Sequence, residues 1–264
     1  MVSKNRFIIA EAGINHGGSL KKAFKLIDQA KTAGANAIKF QTFKAKEVCN
    51  DKDQTYTYRS QGKEITESML EMFERYELPN EAWKILKEES KRVGIQFFST
   101  PQNISDLQIL LDIGVPAIKV GSDDFTNLPL LKSYSKTNLP LILSCGMSNL
   151  GEVYEALDTV GGLDGYPVIL LLCTSQYPTP PEDTNLSRIK TLRHAFPGIP
   201  IGFSDHTLGI EAAQIFIILF LYLIIGTMFS SKKYYRCVFQ IPVSLFIALV
   251  GIYWFFDRIG MPIF

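Results

Sequence analysis

Seven short apolar runs alternate with amphipathic stretches along about four-fifths of the chain, and this repeat limits the folds that the chain can adopt. The runs are continuously apolar and rich in Ile, Val, Leu and Phe, which is typical of strands buried on both faces of a parallel sheet. They cover residues 7–13, 37–42, 95–101, 117–122, 140–146, 168–178 and 199–207.

Helix-like patterns separate these runs, as expected for strands joined by helical crossovers. They cover residues 20–33, 81–93, 104–113, 128–136, 150–160 and 186–195. Residues that commonly cap a helix N-terminus precede several of them, namely Ser19, Asn80, Asn103, Asn127 and Asn149. Several end at a glycine, namely Gly34, Gly94, Gly114 and Gly161. Residues 43–78 are more polar, and we expect an extended loop there with a short helix near residues 66–76.

Polar or ionisable residues end nearly every strand-like run, and this favours a barrel over an open sheet. The carboxyl ends of all barrel strands converge on one mouth, whereas polar ends in a doubly wound sheet cluster at a switch point. These residues are Glu11, Lys39, Gln41, Ser99, Thr100, Lys119, Ser122, Ser144, Thr174, Tyr177, Ser204, Asp205 and His206. The sequence therefore predicts a (β/α)8 TIM barrel that is incomplete, with about seven βα units.

Two lysines at strand ends, Lys39 and Lys119, need compensation if they point into the barrel. Each could pair with a carboxylate such as Glu11 or Asp124, or the two together could bind a doubly anionic ligand. Hydroxyl groups at the same level fit the second interpretation, and they belong to Thr100, Ser122, Ser144 and Ser204. A lysine here could also form a Schiff base with a carbonyl substrate, so that alternative stays open.

Two histidines and one tyrosine are further candidates for the mouth. His206 could be a metal ligand, an acid or base, or a structural hydrogen-bonding group. His16, in the first βα loop, could position a substrate or cap the next helix. Tyr177 begins a proline-rich segment that either ends the strand or forms a wall that places its hydroxyl group in the mouth.

Composition narrows the class of protein further. The chain has 264 residues, of which 47% are hydrophobic, which is enough for a large core. Its net charge of +1 does not indicate a nucleic-acid partner. The four cysteines show neither metal-ligand spacing nor a disulfide framework. The apolar stretch within residues 1–13 is too short for a signal peptide. We therefore expect a cytoplasmic location.

Seven collinear motifs carry a resemblance to a known family. They are IAEAGINHGGS (9–19), AIKFQT (37–42), FFSTP (97–101), IKVGS (118–122), LILSCGM (141–147), LLCTSQYPTP (171–180) and GFSDHTLGIEAA (202–213). Together the motifs span about four-fifths of the chain, and the sequence resembles the N-acetylneuraminate (sialic acid) synthase family, including legionaminate- and pseudaminate-type synthases.

The resemblance implies a barrel followed by an antifreeze-like domain that caps the partner subunit in a domain-swapped homodimer. It implies condensation of phosphoenolpyruvate with N-acetylmannosamine or a related 6-deoxy diacetamido hexose, which gives a nine-carbon 2-keto acid and phosphate. It also implies a divalent metal ion, Mn or Mg. These substrates are small molecules.

The resemblance also assigns residues. It implies that phosphoenolpyruvate is held by Lys39, Thr100, Lys119, Ser122, Ser144 and Ser204. It implies that the sugar faces, or exchanges protons with, Glu11, Gln41, Asp124 and Tyr177. His206 becomes one metal ligand. The family usually has Gly-Glu after the serine that matches Ser122, whereas Asp123 and Asp124 follow it here, so the acid is one carbon shorter.

The chain departs from the family pattern at about residue 214, so we divide it into a barrel region, 1–213, and a hydrophobic tail, 214–264. Two nearly uncharged runs, 212–229 and 237–256, approach the length of a membrane span. They are either a helical hairpin that tethers a non-catalytic protein to a membrane or, as we favour, the product of a frameshift. The basic loop 230–236 argues against an anchor, because it would lie outside the cytoplasm.

Three family features are not found in the sequence: the strand with the second metal-ligating histidine, barrel closure and the antifreeze-like domain. We therefore predict no measurable turnover for residues 1–264. Another phosphoenolpyruvate-condensing barrel, such as a 3-deoxy-octulosonate or heptulosonate phosphate synthase, is the remaining alternative. Such enzymes handle phosphorylated sugars and would be expected to use arginines, and none occurs in the strand-end motifs.

Overall fold

The computed structural model describes residues 6–60 and 63–207. Its centre is a sheet of seven parallel strands in the order β1-β2-β5-β6-β7-β8-β9, with a separate antiparallel pair, β3-β4. The strands are β1 (Ile9–Gly13), β2 (Ala37–Thr42), β3 (Thr55–Ser60), β4 (Lys63–Ser68), β5 (Gln96–Pro101), β6 (Ile118–Val120), β7 (Leu141–Ser144), β8 (Val168–Cys173) and β9 (Ile201–Ser204). The helices are α1 (Leu20–Thr32), α2 (Ala45–Val48), α3 (Met69–Tyr76), α4 (Asn80–Val93), α5 (Ile104–Ile113), α6 (Leu128–Ser135), α7 (Leu150–Val160) and α8 (Arg188–Ala195), with 3-10 turns at Gly162–Asp164 and Pro181–Asp183.

The order of the central strands follows the order of the chain, without the reversal that a doubly wound sheet requires. Each crossover places the next strand beside the previous one, which is how a TIM barrel is built. Within the described residues β1 pairs only with β2, and β9 pairs only with β8. The predicted parallel sheet with helical crossovers is confirmed, and the described part is a curled, open portion of a barrel. The predicted hydrophobic tail lies outside the described residues.

Local capping explains where several helices begin and end. Asn149 accepts hydrogen bonds from the backbone N–H groups of Gly151 and Glu152, and the Glu152 carboxylate accepts one from the Asn149 N–H. This capping box starts α7, and Gly161 ends it with a φ of +78°. The predicted cap at Asn80 is wrong. Pro79 holds the extended N-cap position, and Asn80 is the first helical residue.

The segment between β2 and α4 corrects the prediction of an extended loop. Strands β3 and β4 form a hairpin there, in register from Thr55 opposite Ser68 to Ser60 opposite Lys63. The threonine hydroxyl groups of Thr57 and Thr66 lie 2.8 Å apart across the pair. The predicted short helix exists as α3, although it begins later than expected. Polar residues occupy both faces of the hairpin, so the apolar pattern that revealed the other strands was missing.

Two hydrophobic clusters pack helices against the sheet. One joins the outer faces of the later strands to α6, α7 and α8, and it includes Leu131, Leu143 and Leu157. The other joins the earlier strands to α1 and α4, and it includes Ile27 and Leu86. All five of these side chains are fully buried, and each contributes roughly 1.5–3 kcal/mol to stability. These clusters fix the strands, so the residues at the strand ends are held in place.

None of the helices in residues 6–60 and 63–207 is both long enough and apolar enough to cross a bilayer. The two apolar runs of the sequence, 212–229 and 237–256, lie outside the described part of the chain.

Candidate active site

The carboxyl ends of the central strands bring the predicted polar residues together. Strand register places Glu11 opposite Lys39 and Gln41 opposite Thr100. On the later strands it places Ser144 beside Leu171 and Cys173 opposite Ser204. Since alternate side chains of a strand point to the same face, these residues share the inner face of the curled sheet. We call this set the mouth.

Lys39 has a carboxylate partner in the mouth. Its ammonium nitrogen lies 2.8 Å from Glu11 Oε2 and donates a hydrogen bond of 3.0 Å to Thr100 Oγ1. The Lys39 residue is 7% exposed, whereas the Glu11 side chain is 52% exposed. The structural alternative, a lysine paired with a carboxylate, is therefore realised for Lys39.

Lys119 is equally buried, at 6% exposure, but its partners are neutral. Its Nζ donates to Ser144 Oγ at 2.7 Å and to the Val120 carbonyl oxygen at 2.5 Å. Among the ion pairs of the described residues, none includes Lys119. Burial, followed by the nearby charge of Lys39, lowers the pKa of Lys119 to about 7, although Glu11, Cys173 and Asp123 act in the opposite direction. The expected pairing with Asp124 is not formed.

On both sides of the mouth, a glycine leaves room for polar side chains that lie close to the backbone. A Cβ atom on Gly13 would lie 2.9 Å from Glu11 Oε1 and 3.2 Å from Gln41 Oε1, and the φ of Gly13 is +49°. Glycine at this position therefore leaves room for the Glu11 carboxylate and the Gln41 amide.

A serine pair meets at Gly146 on the other side of the mouth. Ser122 Oγ accepts a 3.0 Å hydrogen bond from the Gly146 N–H, and a side chain on Gly146 would overlap the hydroxyl groups of Ser122 and Ser175. Ser175 Oγ is buried and has no hydrogen-bond partner among the described residues. The sequence reasoning missed Ser175, although it follows Thr174 within a quoted motif.

Asp124 follows β6 and is partly buried, and burial together with the charge of Asp123 raises the pKa of Asp124 to about 6. The neighbouring Asp123 is exposed, and its charge raises the pKa of Lys119. Asp124 is not among the charges that shift the pKa of Lys119. Asp123, to which the resemblance assigned no role, therefore influences the pKa of Lys119 more than Asp124 does.

His206 follows β9 and is held by three neighbours. Its Nδ1 lies 2.8 Å from the Thr174 carbonyl oxygen and 3.9 Å from Cys173 Sγ, and its ring centroid is 4.2 Å from that of Tyr177. An N–H at Nδ1 that donates to a carbonyl leaves the Nε2 lone pair available, which is how metal-ligating histidines are commonly held. Nε2 lies 3.4 Å from Ser204 Oγ.

The described residues therefore fit a metal ion only in part. They offer one suitably oriented imidazole, but residues 6–60 and 63–207 contain no group of three or more His, Cys, Asp or Glu side chains arranged to hold a metal. We derive no chemical step through a metal ion.

His16 has a structural position. It is 1% exposed, and its Nδ1 accepts a 3.1 Å hydrogen bond from the Gly18 N–H. Its ring lies 6.0 Å from Phe40, on the outer side of β2. Burial lowers the pKa of His16 to about 4, so the ring is neutral. The expected cap of the next helix is provided by Ser19 instead, and His16 stabilises the turn that precedes it.

One arginine reaches the end of β8 from a helix. Arg188 Nη2 donates to Thr174 Oγ1 at 3.1 Å. The strand-end motifs contain no arginine, which argued against a phosphorylated substrate. Helix α8 nevertheless brings Arg188 to the end of β8.

Comparison with known proteins agrees with this arrangement. Residues 26–219 match the NeuB family. The chain belongs to the NeuB family. This NeuB family chain is 40% identical over 210 residues to the N,N'-diacetyllegionaminic acid synthase of Campylobacter jejuni, covering 79% of this chain and 63% of that protein. It is 35% identical over 207 residues to the human N-acetylneuraminate-9-phosphate synthase, covering 77% of this chain and 56% of that protein.

Solved structures show the same relationship. The sialic acid synthetase of Leptospira borgpetersenii, solved in complex with citrate, is 35% identical and superposes with a TM-score of 0.70, covering 81% of this chain and 73% of that one. A truncated 3-deoxy-D-arabino-heptulosonate 7-phosphate synthase of Thermotoga maritima, at 15% identity and a TM-score of 0.54, shows the fold alone. The NeuB family chain spans about three-fifths of the length of the curated relatives that it matches.

Proposed function

We propose that this chain carries the phosphoenolpyruvate-binding half of a synthase that condenses phosphoenolpyruvate with an amino-sugar aldehyde. One observation carries the proposal: two buried lysine side chains, Lys39 and Lys119, share the mouth, and within the described residues only Lys39 has a carboxylate partner. The mouth therefore has an unmatched capacity for a negatively charged ligand. The names of the relatives, which are synthases of legionaminic, pseudaminic and sialic acids, support this choice of ligand.

The proposed reaction joins phosphoenolpyruvate to N-acetylmannosamine or a related diacetamido sugar. The enol carbon attacks the aldehyde carbon, water adds to the adjacent carbon, and the C–O bond to phosphate breaks to release inorganic phosphate. The product is a nine-carbon 2-keto acid. Fixed ammonium and hydroxyl groups would stabilise the charges on the carboxylate and the phosphate throughout.

Residue roles follow from position. Lys39 with Thr100 and Lys119 with Ser144 form two donor pairs, which would grip opposite ends of a small anion. Ser122 and Ser204 would add hydroxyl contacts at the same level. Glu11 and Gln41 on one side, and Tyr177 with Asp124 on the other, would face the sugar or exchange protons with it. The half-exposed Glu11 carboxylate has the access that proton exchange requires.

A divalent ion, Mn or Mg, belongs to the proposal only through His206. Its Nε2 would be one ligand, and the ion would supply a Lewis acid that polarises the sugar aldehyde. Assembly into a homodimer and a cytoplasmic location are likewise proposals, which rest on the family as a whole.

Calorimetric titration of phosphoenolpyruvate into the 264-residue chain tests the site. Saturable binding that inorganic phosphate competes with is the expected result, because both ligands would occupy the same ammonium groups. If phosphoenolpyruvate does not bind to folded protein, the proposal is wrong.

Turnover is measured separately. Phosphate release is followed with phosphoenolpyruvate, N-acetylmannosamine and Mn, and the sialic acid synthetase of Leptospira borgpetersenii is run beside it as a positive control. We expect none from the 264-residue chain, since its described residues supply one imidazole towards the metal. Measurable product would contradict that expectation and would directly establish the condensation.

A further inference from the structure

The two lysines of the mouth differ in a way that bears on how the ligand binds. Lys39 keeps its counterion, Glu11, at 2.8 Å. Among residues 6–60 and 63–207, the partners of Lys119 are a hydroxyl and a carbonyl oxygen, and it lies near Lys39, whose charge opposes protonation of Lys119. Keeping a buried ammonium charged without a counterion is costly, so such a group tends to lose its proton.

An anionic ligand changes this balance. A carboxylate or phosphate oxygen beside Lys119 supplies the missing negative charge and favours the protonated amine. We propose that a dianionic ligand enters the mouth together with a proton, which Lys119 takes up from solvent as the ligand binds. This inference rests on the proposed function for the identity of the ligand, but the state of Lys119 in the free protein does not depend on it.

The groups that face Lys119 come from four elements. Lys39 on β2 opposes protonation, whereas Glu11 on β1, Cys173 on β8 and Asp123 after β6 favour it. Burial dominates all of them, and the resulting pKa of about 7 agrees with the geometric argument. In the step itself no bond to carbon changes: neutral amine, proton and the anionic ligand become an ammonium–anion pair, and the ligand keeps its own charges.

The binding equilibrium should therefore depend on pH in a defined direction. Above pH 7 a phosphate monoester already carries its second charge, so the ligand itself takes up almost no proton. The free amine, however, is increasingly neutral. The dissociation constant should rise by about tenfold per pH unit above about pH 7, until the pKa of the complex is reached.

Titration calorimetry in two buffers of different ionisation enthalpy measures the proton uptake directly. Near pH 8 we expect about 0.9 proton to be taken up per phosphoenolpyruvate bound, and no net uptake near pH 6, because Lys119 is already protonated there and part of the phosphate loses its last proton on binding. Lys119→Met should abolish the uptake near pH 8, whereas the same change at an exposed lysine, Lys84→Met on α4, should leave it unchanged. Binding without uptake near pH 8 would overturn the inference and leave the proposed function standing.

A second measurement needs neither a ligand nor a stable variant. Side-chain NMR of wild-type protein labelled at lysine should show one lysine that titrates near pH 7 in the ligand-free state. If every lysine titrates above about pH 9, the inference fails, whether or not phosphoenolpyruvate binds. If such a lysine is present but phosphoenolpyruvate does not bind, the proposed function fails instead.

Discussion

The two sides of the mouth balance the charge of a buried lysine in different ways. On the β1–β2–β5 side, Lys39 is paired with a half-exposed carboxylate and donates to Thr100. On the β6–β7 side, Lys119 is buried among neutral acceptors, and burial lowers its pKa to about 7. Two strand-end lysines that look equivalent in the sequence therefore differ in how their charge is balanced. The difference teaches that the neighbours of a lysine at a barrel mouth decide whether a carboxylate or only neutral acceptors surround its amine.

Removing the paired lysine should have the largest effect. Lys39→Met leaves the Glu11 carboxylate without its cation and facing an anionic ligand, so attraction is replaced by repulsion. We expect the dissociation constant for phosphoenolpyruvate to rise at least about 100-fold, in line with the 2–5 kcal/mol cost of breaking a hydrogen-bonded charge pair. Calorimetry measures this. The double variant Glu11→Gln, Lys39→Met should recover part of the loss, and a single variant with unchanged affinity would remove Lys39 from the site.

Removing Lys119, the lysine without a carboxylate partner in the described residues, should cost less affinity and should increase the stability of the fold. Lys119→Met should weaken phosphoenolpyruvate binding about 10- to 30-fold near pH 6.5, and less near pH 9, where wild-type Lys119 must first be protonated. The unfolded lysine has a pKa of about 10.4, so the unfolded state binds more protons than the native state between about pH 7 and 10. Wild-type stability from this group therefore rises with pH across that interval.

The stability difference is measured by urea unfolding. Lys119→Met should raise the free energy of unfolding by about 1–3 kcal/mol near pH 7, because an unpaired buried amine is replaced by an apolar group of similar length. The gain should shrink towards pH 10. A constant difference across this range would show that Lys119 keeps an ordinary pKa, and the contrast with Lys39 would disappear.

Asp106, outside the mouth, extends the comparison to a buried acid. It is fully buried; its Oδ2 accepts a 3.1 Å hydrogen bond from the Asn103 N–H, and its Oδ1 has no partner among the described residues. Burial, followed by the charge of Glu47, raises the pKa of Asp106 to about 7. Since this pKa lies above the unfolded value of about 3.9, the contribution to stability is complete below pH 4 and is lost as the pH rises to about 7.

Asp106→Asn should remove that pH dependence while an amide oxygen still accepts from Asn103. We expect the variant to be more stable than wild type by about 1–2 kcal/mol near pH 8 and to show no gain near pH 4. Urea unfolding at both pH values checks this. Asp112→Asn, an exposed position on the same helix, is the matched control and should show no such difference. An equal effect of Asp106→Asn at both pH values would contradict the argument.

The smallest effect is expected from Glu11→Gln, which makes Lys39 resemble Lys119 by removing its counterion. Without the competing carboxylate, phosphoenolpyruvate should bind about 2- to 5-fold more tightly near pH 6.5. The proton uptake near pH 8 should increase, because in the wild type Glu11 favours the protonated form of Lys119. Weaker binding would mean that Glu11 contacts the ligand favourably and does not compete with it for Lys39.

The sequence was informative wherever side-chain alternation and short-range signals determine structure. Continuous apolar runs located the seven central strands, although every one of them except β2 is shorter than predicted. Capping residues such as Asn103 and Asn149, and glycines such as Gly114, located helix ends. The hairpin of β3 and β4 carried a signal too, since β3 alternates threonine with tyrosine and a glycine, Gly62, follows it in the sequence. Both strands are mostly polar, so a pattern of apolar runs did not reveal them.

The sequence by itself determined which residues stand at the strand ends, because a period of two and a parallel register bring alternate side chains to one face. Only the tertiary structure decided how their charges are balanced. That balance depends on distances of a few ångströms between strands far apart in the chain: Glu11 reaches Lys39 and not Lys119, and His16 turns outward into the core. Electrostatic energy varies steeply over such distances in a buried site, and no spacing along the chain encodes them.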